Sequence, residues 1–168
     1  PAYQCHDLDE VWAGLRKIEL RHGLKILLTG EGRVSGGAVE TLNVANVVQV
    51  KPEDYLNREF DVPVFCQIGP QHYTRHVSGK EFNFRHFLRF PHEYESDFLK
   101  YTRGTDILIT GHYWDPRSPH FFSADDMKEP EFRIKIISDI SCDVPGPIPA
   151  TVRSTTISDP FYDYNPHL

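Results

Sequence analysis

The segment from Leu24 to Leu42 constrains the fold more than any other part of the sequence. An apolar run, Leu24 to Leu28, leads into a glycine-rich turn that starts at Gly30, and helix-forming residues follow at Ala38 to Leu42. This order predicts a buried strand, a tight turn and the start of a helix. A strand that passes through a turn into a helix is typical of α/β domains with a parallel sheet.

The glycines of this turn predict a dinucleotide-binding site. Gly30 lets the chain leave the strand sharply, and Gly32, which has no Cβ, lets the backbone approach a pyrophosphate. The following helix offers free N–H groups and the positive end of its dipole to phosphates. Ser35 stands where G-x-G-x-x-G motifs have their third glycine, so we expect Gly37 to provide the close contact between helix and strand. A loop that only turns the chain is the alternative.

The composition predicts one soluble globular domain. The 168 residues are 39% hydrophobic and 25% charged, which is enough for a sizeable core. A net charge of −6 with scattered basic residues argues against nucleic-acid binding. No apolar run approaches the roughly 20 residues that span a bilayer, so we expect no membrane partner.

The N-terminus and the cysteines bear on the cellular location of the protein. The polar, acidic N-terminus shows no signal peptide, and a start at Pro1 indicates an excised or processed chain. Cys5, Cys66 and Cys142 are far apart in the sequence, which favours reduced thiols over a disulfide framework. We therefore expect a cytoplasmic location, or the mitochondrial matrix for a eukaryotic protein.

The first residues predict an amphipathic helix. It runs from Asp7, a plausible N-cap, to Arg21, and Glu10 completes a capping-box pattern. Its apolar stripe indicates contact with the core rather than a partner surface, and consists of Leu8, Val11, Trp12, Leu15 and Ile18.

The remaining pattern predicts a doubly wound α/β domain with a mainly parallel, Rossmann-like sheet. The strand after the glycine turn is expected to pair with the first strand, and the last two are expected to be buried on both faces. A helix is predicted from Pro91 to Tyr101. We divide the chain into an N-terminal helix (1–23), the Rossmann-like domain (24–145) and a Pro-rich C-terminal segment (146–168). The further predicted strands are Val44 to Val50, Pro63 to Ile68, Thr105 to Trp114 and Phe132 to Ile140.

Ligands of open α/β sheets bind at the carboxyl ends of the strands. Gly111, His112 and Tyr113 follow a predicted strand and are therefore expected to line the cofactor crevice, with an exposed loop as the alternative for His112. Asp139 and Asp143 follow the last strand. For these two carboxylates we favour hydrogen bonds to loop backbone or to the cofactor ribose over acid–base catalysis, since no lysine or histidine partner can be assigned.

Two further features bear on ligands. Lys51 ends the second predicted strand, where nicotinamide-binding folds usually carry an acid for the ribose 2′-OH. A lysine there could meet a 2′-phosphate, which slightly favours NADP over NAD, and a solvated lysine is the alternative. His72, His76 and His86 fit no familiar spacing of metal ligands, so we expect surface histidines and no metal.

Four motifs follow one another along the chain, namely GEGRVSGGA, DILITGHYW, IISDISCDVPGPI and TTISDPFYDYNP. Together they resemble the nucleotide-binding half of lysine-2-oxoglutarate reductase/saccharopine dehydrogenase proteins, within the wider alanine dehydrogenase and transhydrogenase group. The resemblance covers about Leu24 to Pro166 and implies hydride transfer between a nicotinamide cofactor and an imine carbon, interconverting lysine plus 2-oxoglutarate with saccharopine. It implies that the catalytic lysine and histidine lie in an earlier domain, which nothing here matches, and that the earlier domain holds the amino-acid or keto-acid substrate.

The resemblance also implies a set of cofactor contacts and no catalytic residue in this chain. Gly32, Arg33 and Val34 would contact the pyrophosphate, and Lys51 would approach the adenosine ribose. The nicotinamide side would be lined by residues 138–141, with Asp139, Ile140 and Ser141 among them, and by Gly111, His112 and Tyr113. Gly30 and Ser35 complete the set.

Two other functions fit the same pattern. One is the nucleotide domain of an alanine dehydrogenase-like or ornithine-handling enzyme, and the other is a non-catalytic NAD(P)-sensing module. Lys51 and His112 both depart from what the resemblance leads us to expect. The sequence leaves homo-oligomer formation open.

Overall fold

The computed structural model describes residues 2–168 and confirms an α/β fold around a parallel sheet. The strands are β1 (Lys25–Thr29), β2 (Val48–Gln49), β3 (Val64–Ile68), β4 (Thr74–His76), β5 (Tyr94–Ser96), β6 (Ile107–Thr110) and β7 (Ile136–Asp139). Within the described range β2, β3, β1, β6 and β7 lie side by side in this order, and each neighbouring pair is parallel. β4 and β5 form a separate antiparallel pair.

The helices are short apart from the one that follows the glycine turn. None of those found between residues 2 and 168 is long and apolar enough to cross a membrane. Single 3₁₀ turns at Ala2–Gln4, Pro91–Glu93 and Asp126–Lys128 complete the regular structure. The helices are α1 (Leu8–Leu15), α2 (Arg33–Val44), α3 (Pro52–Asn57), α4 (Pro70–Tyr73), α5 (Phe84–Arg89) and α6 (Leu99–Thr102).

β1 lies at the centre of the sheet, and all five of its residues are buried. Leu27 belongs to a core that includes Phe98, Tyr101 and Phe121, whereas Ile26 belongs to a second core on the α2 side. Because both faces of the strand are covered, its three central residues, 26–28, are all apolar rather than alternating. Burial of each such leucine or isoleucine contributes about 1.5–3 kcal/mol. This packing fixes the end of β1, where the glycine turn begins.

The predicted pairing of the first two strands is wrong, because β3 lies between β1 and β2. β2 is only two residues long and both residues are exposed, whereas β3 is almost completely buried and occupies the place beside β1. Strands in a sheet lie about 4.8 Å apart, so the end of β2 is about 10 Å from β1. Lys51 follows β2 and is therefore one strand further from the glycine turn than expected.

The helix predicted from Pro91 to Tyr101 is also wrong. Pro91–Glu93 forms one 3₁₀ turn, and the chain then extends as β5 to pair with β4. Tyr94 is buried at the start of β5, where it contacts Phe82 and Phe87 edge to face. Side-chain packing and strand pairing here override the helical charge pattern.

Two elements predicted to lie in the core are at the surface. In α1 no residue is buried, and Leu8 is more than half exposed. The helix does begin at the predicted N-cap, since the Glu10 N–H donates to Asp7 Oδ1 at 2.9 Å. β7 is an edge strand with an exposed Ile136, so the expectation that it is buried on both faces is wrong.

The C-terminal segment from residue 146 contains no helix or strand, although the structure describes all of it. It nevertheless packs on the domain, because Ile148 is buried in the main core and the Phe121 N–H donates to Pro147 O at 3.1 Å.

Candidate functional site

The glycine turn lies at the carboxyl edge of the sheet and packs tightly against the loop after β6. Gly30 has a φ of +99°, and a Cβ at this position would lie 2.5 Å from the carbonyl oxygen of Gly111. Its N–H donates to Ile68 O at 2.9 Å, while the Gly111 N–H donates to Thr29 O at 3.0 Å. Both the backbone conformation and the close contact therefore require glycine at position 30.

The first amides of α2 have no acceptor in the part of the chain that the structure describes. Gly32 precedes the helix in an extended conformation and has no side chain to cap it. The first hydrogen bond of the helix runs from the Gly36 N–H to Gly32 O at 3.0 Å, which leaves the N–H groups of Arg33 and Val34 free. A Cβ on Gly32 would meet nothing within 4 Å. Free amides, a helix dipole and open space form a binding site for an anion.

Ser35 takes the packing role that we expected of Gly37. Its side chain is completely buried, its hydroxyl donates to Gly32 O at 2.9 Å, and a Cβ on Gly111 would lie 3.2 Å from its Cα. Gly37 has open space around it, so the prediction for that glycine is wrong. Because the whole residue is buried against Gly111, the structure gives no exposed surface for the predicted cofactor contact of Ser35.

A cavity of about 530 Å³ opens beside the turn, a size typical of small-molecule sites. It brings together five of the predicted residues, namely Gly30, Gly32, Gly111, His112 and Tyr113. The sequence analysis missed the rest of its lining, which is Glu31, Pro70, Tyr73, Phe84, Phe87, Leu88, Pro91, Asp115 and Ser118.

An apolar wall of this cavity comes from α5. Phe84, Phe87 and Leu88 line it, and Phe84 and Leu88 are each about half exposed. Their spacing of i, i+3 and i+4 is that of one helix face, a signal that could have identified them in the sequence. Half-exposed aromatic and aliphatic side chains beside the glycine turn offer a surface on which a flat ring can stack.

His112 is buried beside the cavity with one ring nitrogen unpaired. Its Nδ1 lies 2.8 Å from the hydroxyl of Thr29, which has no other acceptor among residues 2–168. Thr29 and Nδ1 share one hydrogen bond, whose direction depends on the ring tautomer, and those residues provide no partner for Nε2. Burial lowers the pKa of His112 to about 4, although Asp139 acts to raise it. The ring is thus neutral near pH 7 and leaves Nε2 unpaired at the site.

We expect His112 to make the folded state less stable as the pH decreases below about 6.5. Because the folded-state pKa, about 4, lies below the ordinary 6.5, the unfolded chain takes up the proton first as the pH falls. The stability present above pH 6.5 should decrease by about 3 kcal/mol as the pH falls towards 4. Urea unfolding at several pH values checks this, with His112→Gln expected to flatten the dependence. An equally steep dependence in the variant would contradict it.

Asp139 is held by hydrogen bonds rather than free for catalysis. Burial pushes its pKa up, but bonds from Ser141, Thr110 and Thr151 and from the Cys142 N–H outweigh this and hold the pKa below its ordinary value. The Thr151 hydroxyl donates to Oδ2 at 2.5 Å, and Ser141 donates to Oδ1 at 2.6 Å. This agrees with the expectation of a hydrogen-bonding role and ties the ends of β6 and β7 to the C-terminal segment.

The other predicted residues do not line this cavity. Arg33 and Val34 are exposed at the start of α2, and Lys51 follows β2 at the far side of β3. Ile140 and Ser141 follow β7, one strand beyond β6, and Asp139 lines a separate groove of about 670 Å³ between β7 and the C-terminal segment.

No family model matches this sequence. It is 27% identical over 163 residues to an alpha-aminoadipic semialdehyde synthase of Arabidopsis thaliana, which covers 85% of this chain and 15% of that protein. The mitochondrial alpha-aminoadipic semialdehyde synthases of Rattus norvegicus and Mus musculus are also 27% identical, covering 86% and 84% of this chain and 18% of each relative. The chain therefore spans less than a fifth of the length of these relatives. The matches confirm the predicted resemblance at the level of the family.

Proposed function

We propose that this chain, a distant relative of the lysine-2-oxoglutarate reductase/saccharopine dehydrogenase proteins, is the domain that binds the nicotinamide dinucleotide of an oxidoreductase in lysine metabolism. The observation that carries the proposal is the uncapped start of α2. Its free amides directly follow Gly32, which lies at the carboxyl edge of the central parallel strand and lines a cavity of about 530 Å³. Dinucleotides bind at this position in open α/β sheets.

The residues present fit such a cofactor. The N–H groups of Arg33 and Val34 would donate hydrogen bonds to the pyrophosphate, and the open space beside Gly32 would let it approach. Nε2 of His112 has no partner in the described chain and would form a hydrogen bond with a polar atom of the cofactor. When bound, the nicotinamide supplies the hydride chemistry, while the protein binds, orients and shields it.

His112 and Tyr73, which both line the cavity, are not suited to proton transfer near pH 7. Burial lowers the pKa of His112 to about 4 and raises the pKa of Tyr73 far above neutrality, so both side chains stay uncharged near pH 7. A catalytic acid or base works best with a pKa near the operating pH. This supports the proposal that another domain provides the proton-transfer groups and the amino-acid or keto-acid substrate.

Two side chains of opposite charge bear on the choice between NAD and NADP. Lys51 remains the predicted partner of a 2′-phosphate. Glu31, within the glycine turn itself, lies next to the end of β3, where its carboxylate accepts a hydrogen bond from Gln71 Nε2 at 3.3 Å. Loss of NADPH preference in Lys51→Asp would support Lys51, whereas a gain of NADPH affinity in Glu31→Gln would assign discrimination to Glu31.

Calorimetric titration with NAD, NADH, NADP and NADPH tests the proposed function. We expect saturable binding of at least one of the four, and a rise in thermal stability, because a ligand that binds only the folded state stabilises it by about 2.7 kcal/mol at 100 times its Kd. Binding of none of them by the folded chain would contradict the proposal.

The second candidate function is that of a non-catalytic module that senses NAD(P). The same cavity could bind the dinucleotide in such a module. Turnover by a longer protein that includes the preceding region separates the two. Hydride transfer with lysine and 2-oxoglutarate, or with saccharopine, favours the oxidoreductase, and activity only with ornithine or alanine favours the wider group. Cofactor binding without any turnover favours the sensing module.

A further inference from the structure

A cluster of two imidazoles and a carboxylate lies in the segment between β3 and β6. Nε2 of His76 is 3.4 Å from Oε2 of Glu93, and Nε2 of His86 is 3.9 Å from the same oxygen. The three ligand atoms all lie within 4.8 Å of one another. They come from β4, α5 and the 3₁₀ turn before β5, so only the folded chain brings them together.

One member of the cluster is a buried polar group without a hydrogen bond. His76 is 5% exposed, and its Nε2 makes no hydrogen bond within residues 2–168. Its polar neighbour is Glu93 Oε2 at 3.4 Å, with which it forms an ion pair only if the ring is protonated. Buried nitrogens of this kind are rare in folded proteins, because leaving one unpaired costs about 1–3 kcal/mol. The expectation of surface histidines is therefore wrong for His76, whose free nitrogen faces the carboxylate of Glu93.

We propose that His76, His86 and Glu93 bind a divalent transition-metal ion such as Zn²⁺. Zinc holds nitrogen and oxygen ligands at about 2.0–2.2 Å in a tetrahedron, which places neighbouring ligand atoms about 3.4 Å apart. The His76–Glu93 pair already has that spacing, and His86 has to move by about 1 Å. Imidazoles with one carboxylate suit Zn²⁺, Co²⁺ or Ni²⁺ rather than Ca²⁺ or Mg²⁺.

The neighbours of both imidazoles can set the protonation that metal binding needs. The Tyr94 hydroxyl donates to Asn83 O at 3.3 Å and lies 3.3 Å from His86 Nδ1. Nδ1–H of His86 can thus donate to this hydroxyl, which leaves Nε2 free as a ligand.

His76 requires one local change. In the metal-free site its Nδ1 accepts from the Ser78 N–H at 3.1 Å and lies 3.0 Å from the Ser78 hydroxyl. A metal ion on Nε2 moves the ring proton to Nδ1, which then donates to Ser78 Oγ, and the Ser78 N–H gives up its bond. Ser78 is exposed in the turn after β4, where the backbone has room to adjust.

The site would fix one wall of the cavity beside the glycine turn. His86 lies on α5 between Phe84 and Phe87, which line that cavity. Bound metal ties α5 to β4 and to the turn that carries Glu93. This inference does not depend on what the cavity binds.

Titration of the untagged chain with ZnCl₂ alone, followed by calorimetry and thermal unfolding, tests the proposal. We expect one saturable site and a higher unfolding temperature. Loss of a residue that only supports a metal ligand typically weakens metal binding by roughly 10–100-fold. Glu93→Gln and His86→Ala remove ligands and should weaken zinc binding by at least that much. Ser78→Ala removes a supporting residue and should weaken zinc binding by about tenfold. His92→Ala is the matched control, because His92 is exposed beside Glu93 but outside the cluster. The zinc affinity of this variant should equal that of the parent chain.

Co²⁺ provides a second measurement, since its visible absorption reports four-coordinate geometry. The expected spectrum appears in the parent chain and in His92→Ala and is lost in Glu93→Gln. Zinc affinity that is the same in the parent chain, His86→Ala and Glu93→Gln would overturn the proposal, as would the absence of saturable binding. Far-ultraviolet circular dichroism of both variants verifies that they are folded.

Discussion

Replacing Gly32 by aspartate is expected to abolish dinucleotide binding while leaving the fold intact. A Cβ at this position meets nothing within 4 Å, and the extended backbone suits any residue. Aspartate is a good N-cap, so the free energy of unfolding should rise by a few tenths of a kcal/mol. Its carboxylate, however, would occupy the amides of α2 and repel a pyrophosphate. Placing like charges together costs several kcal/mol, so affinity should fall by at least about 100-fold.

The control for this prediction is Gly37→Asp, which adds the same charge to α2 one turn further along. Gly37 is exposed with open space around it, so the substitution changes the net charge without reaching the first amides. Calorimetric titration of the parent chain and both variants with the best-bound dinucleotide gives the comparison. Equal losses in Gly32→Asp and Gly37→Asp would show that general charge, rather than the uncapped helix start, governs affinity.

Replacing Gly30 by alanine is expected to destabilise the fold by about 3 kcal/mol. A side chain at φ +99° is strained, which contributes about 1–2 kcal/mol. The added Cβ would also lie 2.5 Å from Gly111 O and 2.9 Å from His112 N, and both are backbone atoms that cannot rotate away. Forcing β1 and β6 apart in this way adds about 1–3 kcal/mol. Urea unfolding monitored by circular dichroism measures the change.

Gly37→Ala is the matched substitution for the stability measurement. It lies within α2, where alanine in place of glycine should stabilise the helix by about 0.5–1 kcal/mol. The two alanine variants should therefore change stability in opposite directions. A Gly30→Ala chain that unfolds within 0.5 kcal/mol of the parent, a margin of about the experimental error, would mean that the turn is not constrained as described.

The strand, turn and helix around Gly30 were predictable because their signals are local. Apolar residues without alternation, glycines at the turn and helix formers after it act within a few residues of one another. The order of the strands was not predictable in this way. β2 and β3 both follow from short β-branched or apolar runs, and which of them pairs with β1 depends on burial of Phe65 and Cys66 in the assembled sheet.

Only part of the candidate site could be predicted from the sequence, because only some of its residues lie close to a local signal. Residues that directly follow β1 and β6 could be assigned to the carboxyl edge, and the structure places Gly30, Gly32 and His112 in one cavity. The wall from α5 and the cluster around His76 depend on how the segment between β3 and β6 folds back. That segment was predicted as a long connection followed by a helix, and the pairing of β4 with β5, which positions both features, has no short-range signal.

Amide chemical shifts of the ¹⁵N-labelled chain, recorded during titration with a nicotinamide dinucleotide, test the central claim most directly. If the uncapped start of α2 binds the pyrophosphate, the largest changes should occur at the amides of residues 32–35, with smaller changes at Gly111 and His112 on the opposite side of the turn. Amides 32–35 that do not shift at saturation, or shifts confined to the groove between β7 and the C-terminal segment, would contradict the account.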